Sequence, residues 1–386
     1  MMKNRENRFF FGVLLIILVV GAFTMIKNPE TYSDAERRLL AQFPHLTIGG
    51  FIDGSFQDSF ESAFADQFFA SNEIRTNYYQ AMANTPKFGL DQMFCKNRYM
   101  EQFNSKDGRR ATYNCEDYIV SYPDYQPLTQ RDGYPQSIES FNYLNSISDV
   151  YYYYINDSSA IDFTTNKKLT NYSKLRKEDL KGNYHLTFFD FKDFNEYKEY
   201  FYKTDHHWNY KGSYKGYQDI MKMLGASKAL EPKGTFTEPI PSFGSHARTT
   251  KNYDYPEEFS MYVFDIPDHD TFIDGEEKTY NHIKECLDHD YKDKGEFVDF
   301  YNYCYGTNYT EVIFDYHQEQ KENLLIIANS FGNPIDELIA ASYNKTFVID
   351  PRGHDFSMKS YIEENDIDKV LVIFNDVIKI TKGIKE

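Results

Sequence analysis

The chain has 386 residues, a length that can bury the core of one large α/β domain with insertions. Its formal net charge of −17 argues against binding to nucleic acid and against wide contact with anionic lipid. Aromatic residues make up 18% of the chain, including 34 tyrosines and 33 phenylalanines. Tyrosine rings suit stacking on sugars, although a tyrosine-rich surface in an organism of biased composition explains the same numbers.

Residues 1–29 are predicted to be a cytoplasmic tail and a membrane anchor. Three basic residues within 1–8 precede an uncharged, almost wholly apolar stretch over residues 9–26. As a helix this stretch spans about 27 Å, just enough to cross the hydrocarbon core of a bilayer. The positive charge before it places the N-terminus in the cytoplasm and the rest of the chain outside, as a single-pass protein of the cell membrane. A cleaved signal peptide is the alternative, because residues 20–22 form a tolerable cleavage site.

The four cysteines can form disulfides in that compartment. Of the three possible connectivities, sequence proximity favours Cys95–Cys115 and Cys286–Cys304. Four buried thiols are the alternative.

The next stretches alternate between weak and clear secondary-structure signals. Residues 30–84 are predicted to form a stalk that leads into a helix over 56–79, and residues 85–135 show no clear period. Helices are then predicted over 136–146 and 210–224, and strands over 149–155 and 185–191.

Residues 85–386 are predicted to form the extracytoplasmic domain, with an acidic, turn-rich insertion at about 231–320. After the insertion, apolar runs alternate with helical patterns. The predicted elements are strands 324–329, 346–350 and 369–374 and helices 334–343 and 357–365. Such alternation predicts a parallel sheet with helices on both faces.

One short stretch, Asp205-His206-His207-Trp208, holds the only tryptophan, two adjacent histidines and a carboxylate. An Asp two residues before a His can hold that imidazole in one tautomer through Nδ1–H, which leaves Nε2 free as a base.

Ser330 is the candidate partner for that base. It follows the apolar strand 324–329, with Asn333 predicted as a helix N-cap and Pro334 as the first helical residue. Ligands of open α/β sheets bind at this edge, and N–H groups there can stabilise an oxyanion. A lone serine after a strand is usually a structural turn residue, but the Asp-x-His pair in the same chain makes a nucleophile the better interpretation.

With these residues the chain resembles the DHHW proteins, a family named after the motif that Asp205-His206-His207-Trp208 matches. These are similar to the AlgX/AlgJ-like alginate O-acetyltransferases and look like SGNH (GDSL-type) hydrolases in which the Asp–His segment precedes the serine segment. Residues 34–39, 43–44, 53–56, 349–352 and 367–370 also match, so the resemblance covers most of residues 30–376. It implies an SGNH hydrolase-like α/β fold, a parallel sheet flanked by helices with insertions.

The resemblance also implies roles for individual residues. Ser330 matches the nucleophile, His207 the base and Asp205 the residue that orients the base. The remaining candidates for binding substrate or an oxyanion are His206, Trp208, Asn329, Gly332, Asn333 and Arg352.

Two of these candidates leave alternatives open. Arg352 can hold a substrate carboxylate or phosphate, or form a structural ion pair. Asn329 stands where the family usually has Asp, so the turn hydrogen bonds can be kept while the charge is lost, which leaves activity an open question.

The implied function is that of a membrane-anchored O-acyltransferase or esterase that acetylates a cell-surface polysaccharide or exopolysaccharide without a cofactor. The implied partner is a multi-spanning membrane O-acyltransferase that passes acyl groups outward.

A catalytically inactive carbohydrate-binding or assembly protein is one alternative to this function. A metal site is the other, with Asp205, His206 and His207 or the pairs His269-Asp270, His289-Asp290 and His354-Asp355 as ligands. Adjacent histidines of an extended segment point to opposite faces, which argues against a shared ion.

Overall fold

The structure is a computed structural model. It describes residues 32–33, 38–39, 41–52, 54–67, 112–121, 123, 127–163, 167–169, 175–226, 228–250, 252–278, 298–306, 309–352, 357–381 and 384. No helix within these ranges has both the length and the apolar character needed to cross a membrane.

Several sequence predictions fall outside these ranges. The apolar stretch over 9–26, residues 68–79 of the predicted first helix, and His289-Asp290 and His354-Asp355 are among them. Each predicted disulfide also has one partner outside, Cys95 or Cys286, while Cys115 and Cys304 are buried. The anchor and the Cys286–Cys304 disulfide stay predictions, whereas Cys115 is not disulfide-bonded, so the predicted Cys95–Cys115 pairing is wrong.

The described residues form sixteen strands and ten α-helices. The strands are β1 (Tyr32–Ser33), β2 (Arg38–Leu39), β3 (Thr112–Cys115), β4 (Tyr118–Ser121), β5 (Val150–Ile155), β6 (Ile161–Asp162), β7 (Lys167–Lys168), β8 (Tyr184–Phe189), β9 (Gly234–Thr237), β10 (Ser260–Val263), β11 (Asp270–Ile273), β12 (Glu276–Glu277), β13 (Glu311–Asp315), β14 (Leu324–Ala328), β15 (Lys345–Ile349) and β16 (Lys369–Phe374). The α-helices are α1 (Ile48–Ile52), α2 (Ser55–Gln67), α3 (Tyr134–Ile147), α4 (Phe194–Tyr200), α5 (Tyr210–Met223), α6 (Ser245–Thr250), α7 (Phe300–Tyr305), α8 (Asp336–Ala340), α9 (Met358–Glu364) and α10 (Val377–Ile380).

One eight-stranded sheet organises the domain, in the order β12-β11-β13-β15-β14-β16-β5-β8. The strands β15, β14, β16, β5 and β8 run parallel, whereas β13, β11 and β12 are antiparallel to their neighbours. The predicted α/β fold with a largely parallel sheet is therefore confirmed, with an antiparallel edge. The strands β11, β12 and β13 of that edge come from the predicted insertion.

Residues of β14 are buried on both faces of the sheet, as expected for a central parallel strand. Leu324 and Ile326 pack in one core cluster with residues of α5, and Leu325 and Ile327 pack in another with residues of α3 and α9. Ser330 follows this strand at its carboxyl end.

The helix after Ser330 begins later than predicted. It starts at Asp336, and its N-cap, Ile335, offers no side-chain acceptor, so the assignments of Asn333 as N-cap and Pro334 as first helical residue were wrong. The intervening chain instead forms consecutive turns, in which the N–H groups of Gly332 and Ile335 each donate to a carbonyl three residues earlier, both at 2.8 Å.

The free energy of unfolding is expected to fall as pH rises from about 7 to about 9. Burial raises the pKa of Asp336 to about 8, and burial with the nearby Asp336 charge raises the pKa of Glu337 to about 8. In the unfolded chain both carboxyls are already ionised at pH 7, so the stability conferred by the protonated folded forms is lost as pH passes their folded pKa. At about 1.4 kcal/mol per pKa unit, the pair accounts for roughly 1–3 kcal/mol.

Denaturant titrations at the two pH values measure this change. Glu337→Gln, which cannot ionise, should show a smaller fall than the wild type. Equal falls in the two proteins would contradict the assignment.

Candidate active site

Asp205, His207 and Ser330 form one chain of hydrogen bonds. His207 Nδ1 lies 2.5 Å from Asp205 Oδ1, and His207 Nε2 lies 2.7 Å from Ser330 Oγ. Asp205 and His207 are buried and Ser330 is half-buried. Because an ionised carboxylate only accepts hydrogen bonds, Nδ1 bears the proton and Nε2 accepts from the serine hydroxyl. A hydroxyl bonded to a base that is itself oriented by a carboxylate can act as a nucleophile.

Asp205 is held as a carboxylate despite its burial. Burial alone favours the neutral form, but His207, His206 and the Ser245 N–H hold the pKa of Asp205 well below its usual range. The Ser245 N–H donates to Asp205 Oδ2 at 2.6 Å. The negative charge on Asp205 can therefore stabilise a proton on His207.

Glu257 fixes the backbone that leads into Asp205. Its carboxylate accepts from the Lys203 N–H at 2.6 Å and from the Thr204 N–H and hydroxyl at 3.0 and 2.6 Å. Thr204 Oγ1 accepts in turn from the Gly244 N–H at 2.9 Å. Burial raises the pKa of Glu257 to about 7, against the lowering effect of these donors. The segments around residues 204, 244 and 257 thus form one hydrogen-bonded support.

Trp208 anchors the same stretch in the core. Its ring is 0% exposed and packs edge-to-face on Phe189 and Phe331, at 5.5 and 5.6 Å between ring centroids. A Cβ at Gly216 would lie 2.5 Å from the indole, so the glycine makes room for it. Asn209 then caps α5, because its side chain accepts from two N–H groups of the first turn. Trp208 packs in the core rather than presenting its ring to solvent.

The turn at Ser330 is organised by Asn329. Asn329 Oδ1 accepts from the Phe331 N–H at 3.2 Å, and Asn329 Nδ2 donates to Oδ1 of Asn375 at 2.8 Å. Asn375 follows β16, the strand next to β14, so two neighbouring strand ends are joined beside the serine. The asparagine thus makes the turn hydrogen bonds expected of it.

Tyr301 contacts both His207 and Ser330, two of the three residues of the Asp205–His207–Ser330 triad. Its ring stacks on His207 with centroids 3.9 Å apart and an interplanar angle of 7°, and its hydroxyl donates to the Ser330 carbonyl at 2.6 Å. Burial raises the pKa of Tyr301 well above its ordinary value, so the hydroxyl remains a donor. Tyr301 lies in α7, within the acidic stretch, where nothing in the sequence sets it apart from the other tyrosines.

Gly332 and Asn333, in the loop after Ser330, each donate a hydrogen bond to a backbone carbonyl. The Gly332 N–H donates to the Asn329 carbonyl at 2.8 Å, and Asn333 Nδ2 donates to the Gly306 carbonyl at 3.4 Å. Both residues shape the loop that holds the serine.

His206 and Arg352 occupy different surroundings. His206 lies beside His207, with ring centroids 3.8 Å apart, and its Nδ1 is 2.6 Å from Ser245 Oγ. Its side chain is 39% exposed, which leaves it accessible beside the triad. Arg352 forms an ion pair with Asp350, whose Oδ1 accepts from Nε at 2.9 Å. The structural ion pair predicted as one of its two roles is thus present.

Removal of metal is expected to leave activity unchanged. The ligand atoms of Asp205, His206 and His207 lie within 4.8 Å of one another, a spacing that one ion can bridge. Each side chain is instead engaged in a hydrogen bond, to its neighbour in the triad or to Ser245. Chelation followed by an ester-hydrolysis assay tests this. Loss of activity on chelation, with stoichiometric metal in the untreated protein, would identify a metal enzyme instead.

No protein-family model and no curated protein matches the chain. Solved structures do match. PatB1 of Bacillus cereus superposes with a TM-score of 0.55 at 19% identity, over 70% of this chain and 100% of that chain. The same protein with a sulfonyl adduct gives 0.54 at 18% identity, over 71% and 99% of the two chains.

A DHHW family protein from Eubacterium siraeum has a TM-score of 0.51 at 18% identity, over 71% of this chain and 93% of that chain. The O-acetyltransferase domain of Pseudomonas putida AlgJ also matches, at 10% identity over 69% and 90% of the two chains, but a TM-score of 0.34 is too low to carry a conclusion. The predicted resemblance to the DHHW proteins is confirmed. At these identities the likeness establishes the fold.

Proposed function

We propose that this protein is an O-acyltransferase or esterase that uses Ser330 as nucleophile, His207 as base and Asp205 as the residue that orients the base. The observation that carries the proposal is the pair of short contacts of His207, 2.5 Å to the carboxylate and 2.7 Å to the serine oxygen. The two contacts engage opposite nitrogens of one ring, as proton transfer from serine to histidine requires.

In the first half-reaction Ser330 Oγ attacks the carbonyl carbon of an acyl donor while His207 Nε2 takes the hydroxyl proton. The tetrahedral intermediate collapses when the bond to the leaving group breaks and His207 returns the proton to that group. The product is an acyl ester on Ser330. Asp205 stays ionised throughout and stabilises the imidazolium.

In the second half-reaction His207 removes a proton from the hydroxyl that attacks the acyl-serine. A sugar hydroxyl gives an O-acylated sugar and a water molecule gives the free acid, and both routes regenerate Ser330. Tyr301 covers one face of the His207 ring, so the imidazole keeps its orientation through both steps.

The oxyanion of the tetrahedral intermediate needs donors beside Ser330. The Phe331 and Gly332 N–H groups are engaged in the turn. Among the described contacts the Ser330 N–H donates to no acceptor, and Asn375 has its Oδ1 held by Asn329, which leaves its Nδ2 as a donor. We assign the Ser330 N–H and Asn375 Nδ2 to the oxyanion.

The acceptor we propose is a cell-surface polysaccharide, reached from a membrane anchor at residues 9–26, and the acyl donor partner is a multi-spanning membrane O-acyltransferase. The apolar N-terminal stretch and the aromatic-rich composition support this part of the proposal. The inactive carbohydrate-binding alternative is favoured by one observation, that asparagine precedes the serine.

The test is incubation of the protein with a chromogenic acetyl ester, with and without sugar acceptors, and with a sulfonyl fluoride. PatB1 of Bacillus cereus was solved with a sulfonyl adduct, and sulfonyl fluorides react with activated hydroxyls. Ester turnover, stopped by a single sulfonyl group on Ser330, is the expected result. Acetylated sugar among the products identifies a transferase. Absence of both turnover and labelling overturns the proposal.

Asn329→Asp is expected to keep or raise ester turnover. The carboxylate retains an acceptor for the Phe331 N–H. After rotation of the Asn375 amide, one hydrogen of its Nδ2 can bond to the second carboxylate oxygen and the other stays available for the oxyanion, so the turn and the donor both survive. Asn329→Ala is the matched control, because it removes both contacts and should lower turnover. An inactive wild type that Asn329→Asp does not rescue would favour the carbohydrate-binding alternative.

A further inference from the structure

A cavity of about 180 Å³ lies between α5, β10 and the turn that precedes α8. Its wall is aromatic, and it includes Tyr210, Tyr214, Tyr262, Phe264 and Tyr305. A cavity of about 150 Å³ is large enough to hold benzene. This one therefore has room for a single six-membered ring.

The aromatic wall is a connected cluster. Tyr262 contacts Tyr210 edge-to-face at 4.8 Å and Tyr214 at 5.3 Å between centroids, and Tyr214 contacts Phe264 at 5.9 Å. These four rings are half-buried, so each keeps part of its surface accessible. Rings with hydroxyl tips offer an apolar face to C–H groups and hydrogen bonds to hydroxyls, which is what a sugar ring needs.

The polar groups of the cavity select against anions. The residues that line it include the carboxyls of Asp265 and Glu337 and contain no lysine, arginine or histidine. Asp265 forms an ion pair with Lys233, so its charge is already balanced. Carboxyl groups accept hydrogen bonds from sugar hydroxyls, whereas a uronate or a phosphate would meet no cation among the described residues that line the cavity.

Two stacked or contacting aromatic side chains lie between the cavity and the triad. Tyr305 lines the cavity and contacts Tyr301 at 5.1 Å, and Tyr301 stacks on His207. Pro334 and Ile335, which also line it, belong to the turns that follow Ser330. The cavity is thus next to the reacting groups without containing them.

We propose that this cavity is a subsite for a neutral sugar ring of the acceptor chain. It rests on the proposed function in one respect only, that the sugar bound here belongs to the polymer that receives the acyl group. Binding itself does not require activity.

The experiment is calorimetric titration of the full-length Ser330→Ala protein with neutral tetrasaccharides of glucose and of N-acetylglucosamine, and with an anionic tetragalacturonate. At least one neutral tetrasaccharide should bind, and the tetragalacturonate should bind at least tenfold more weakly. Tyr262→Ala in the same background should raise the Kd at least tenfold. Ser213→Leu, which fills the cavity from α5 without removing a ring, should do the same. Tyr184→Ala is the matched control, because Tyr184 is a half-buried tyrosine on β8 outside the cavity.

Neutral binding that both cavity variants weaken and Tyr184→Ala does not supports the subsite, even if the wild type proves inactive. No binding of either neutral sugar overturns it, as does binding that the cavity variants leave unchanged or a preference for tetragalacturonate. Each of these three results can occur in an active enzyme, so the failure of the subsite and the failure of the proposed function are distinguishable.

Discussion

Ser330→Ala is expected to lower ester turnover and acyl transfer by several powers of ten while leaving the fold intact. The substitution removes the one oxygen that accepts the acyl group, and deletions of a triad member typically have effects of this size. Ser330 is half-buried and its hydroxyl bonds to His207, so the free energy of unfolding should change by only about 1 kcal/mol.

His207→Ala should lower turnover by a similar factor, and the double variant should be little worse than either single one. The reason is that nucleophile and base act as one unit, so the loss of one member removes most of what the other contributes. Initial rates with a chromogenic acetyl ester measure this, with thermal melts to confirm folding. Ser146→Ala, at an exposed serine of α3, is the control and should behave like the wild type.

Two outcomes would contradict the triad. One is a Ser330→Ala protein that retains wild-type turnover. The other is a double variant whose loss equals the product of the two single losses, because independent effects multiply whereas the members of one catalytic unit do not.

The parts of the site that the sequence predicts are those encoded within short stretches. Asp205 and His207 are two residues apart, and Ser330 lies two residues after a strand whose continuous apolar run marks it as buried. The parallel part of the sheet is predictable for the same reason, since each of its C-terminal strands is a short apolar run next to a helical pattern.

The support for the triad was not predictable, because it depends on contacts between distant segments. Glu257, Gly244 and Tyr301 come from a polar stretch without periodicity. Each acts through a residue some 40 to 94 positions away in the chain, and Tyr301 acts at the serine turn as well. The late start of α8 has a similar origin. Asn333 and Pro334 are residue types that commonly begin a helix. Here they belong to the consecutive turns that position Ser330, so the helix begins only at Asp336.

Gly244→Ala is expected to reduce turnover about a hundredfold although residue 244 cannot take part in the chemistry. A Cβ at this position would lie 2.2 Å from Asp205 Cβ and 2.6 Å from Asp205 Cα. No rotamer change relieves a clash with backbone, so one of the two segments must move. The movement disturbs the bonds from the Ser245 N–H to Asp205 and from the Gly244 N–H to Thr204.

A shift of about 1 Å in a residue that orients the base costs roughly a hundredfold in rate. The crowding itself should lower the free energy of unfolding by about 1–3 kcal/mol. Gly234→Ala is the matched control, because a Cβ there meets nothing within 4 Å, and it should leave both quantities almost unchanged.

The discriminating measurement is the proton resonance of His207 Nδ1–H, which reports the hydrogen bond to Asp205. In the wild type it should appear far downfield, as expected for a nitrogen 2.5 Å from a carboxylate oxygen. In Gly244→Ala it should move upfield or broaden, together with a fall in kcat. A variant with normal kcat and an unshifted resonance would show that Asp205 tolerates the added methyl group. The close approach of residue 244 would then be incidental to the site, and the orientation of His207 would have to depend on Tyr301 and on the Glu257 support alone.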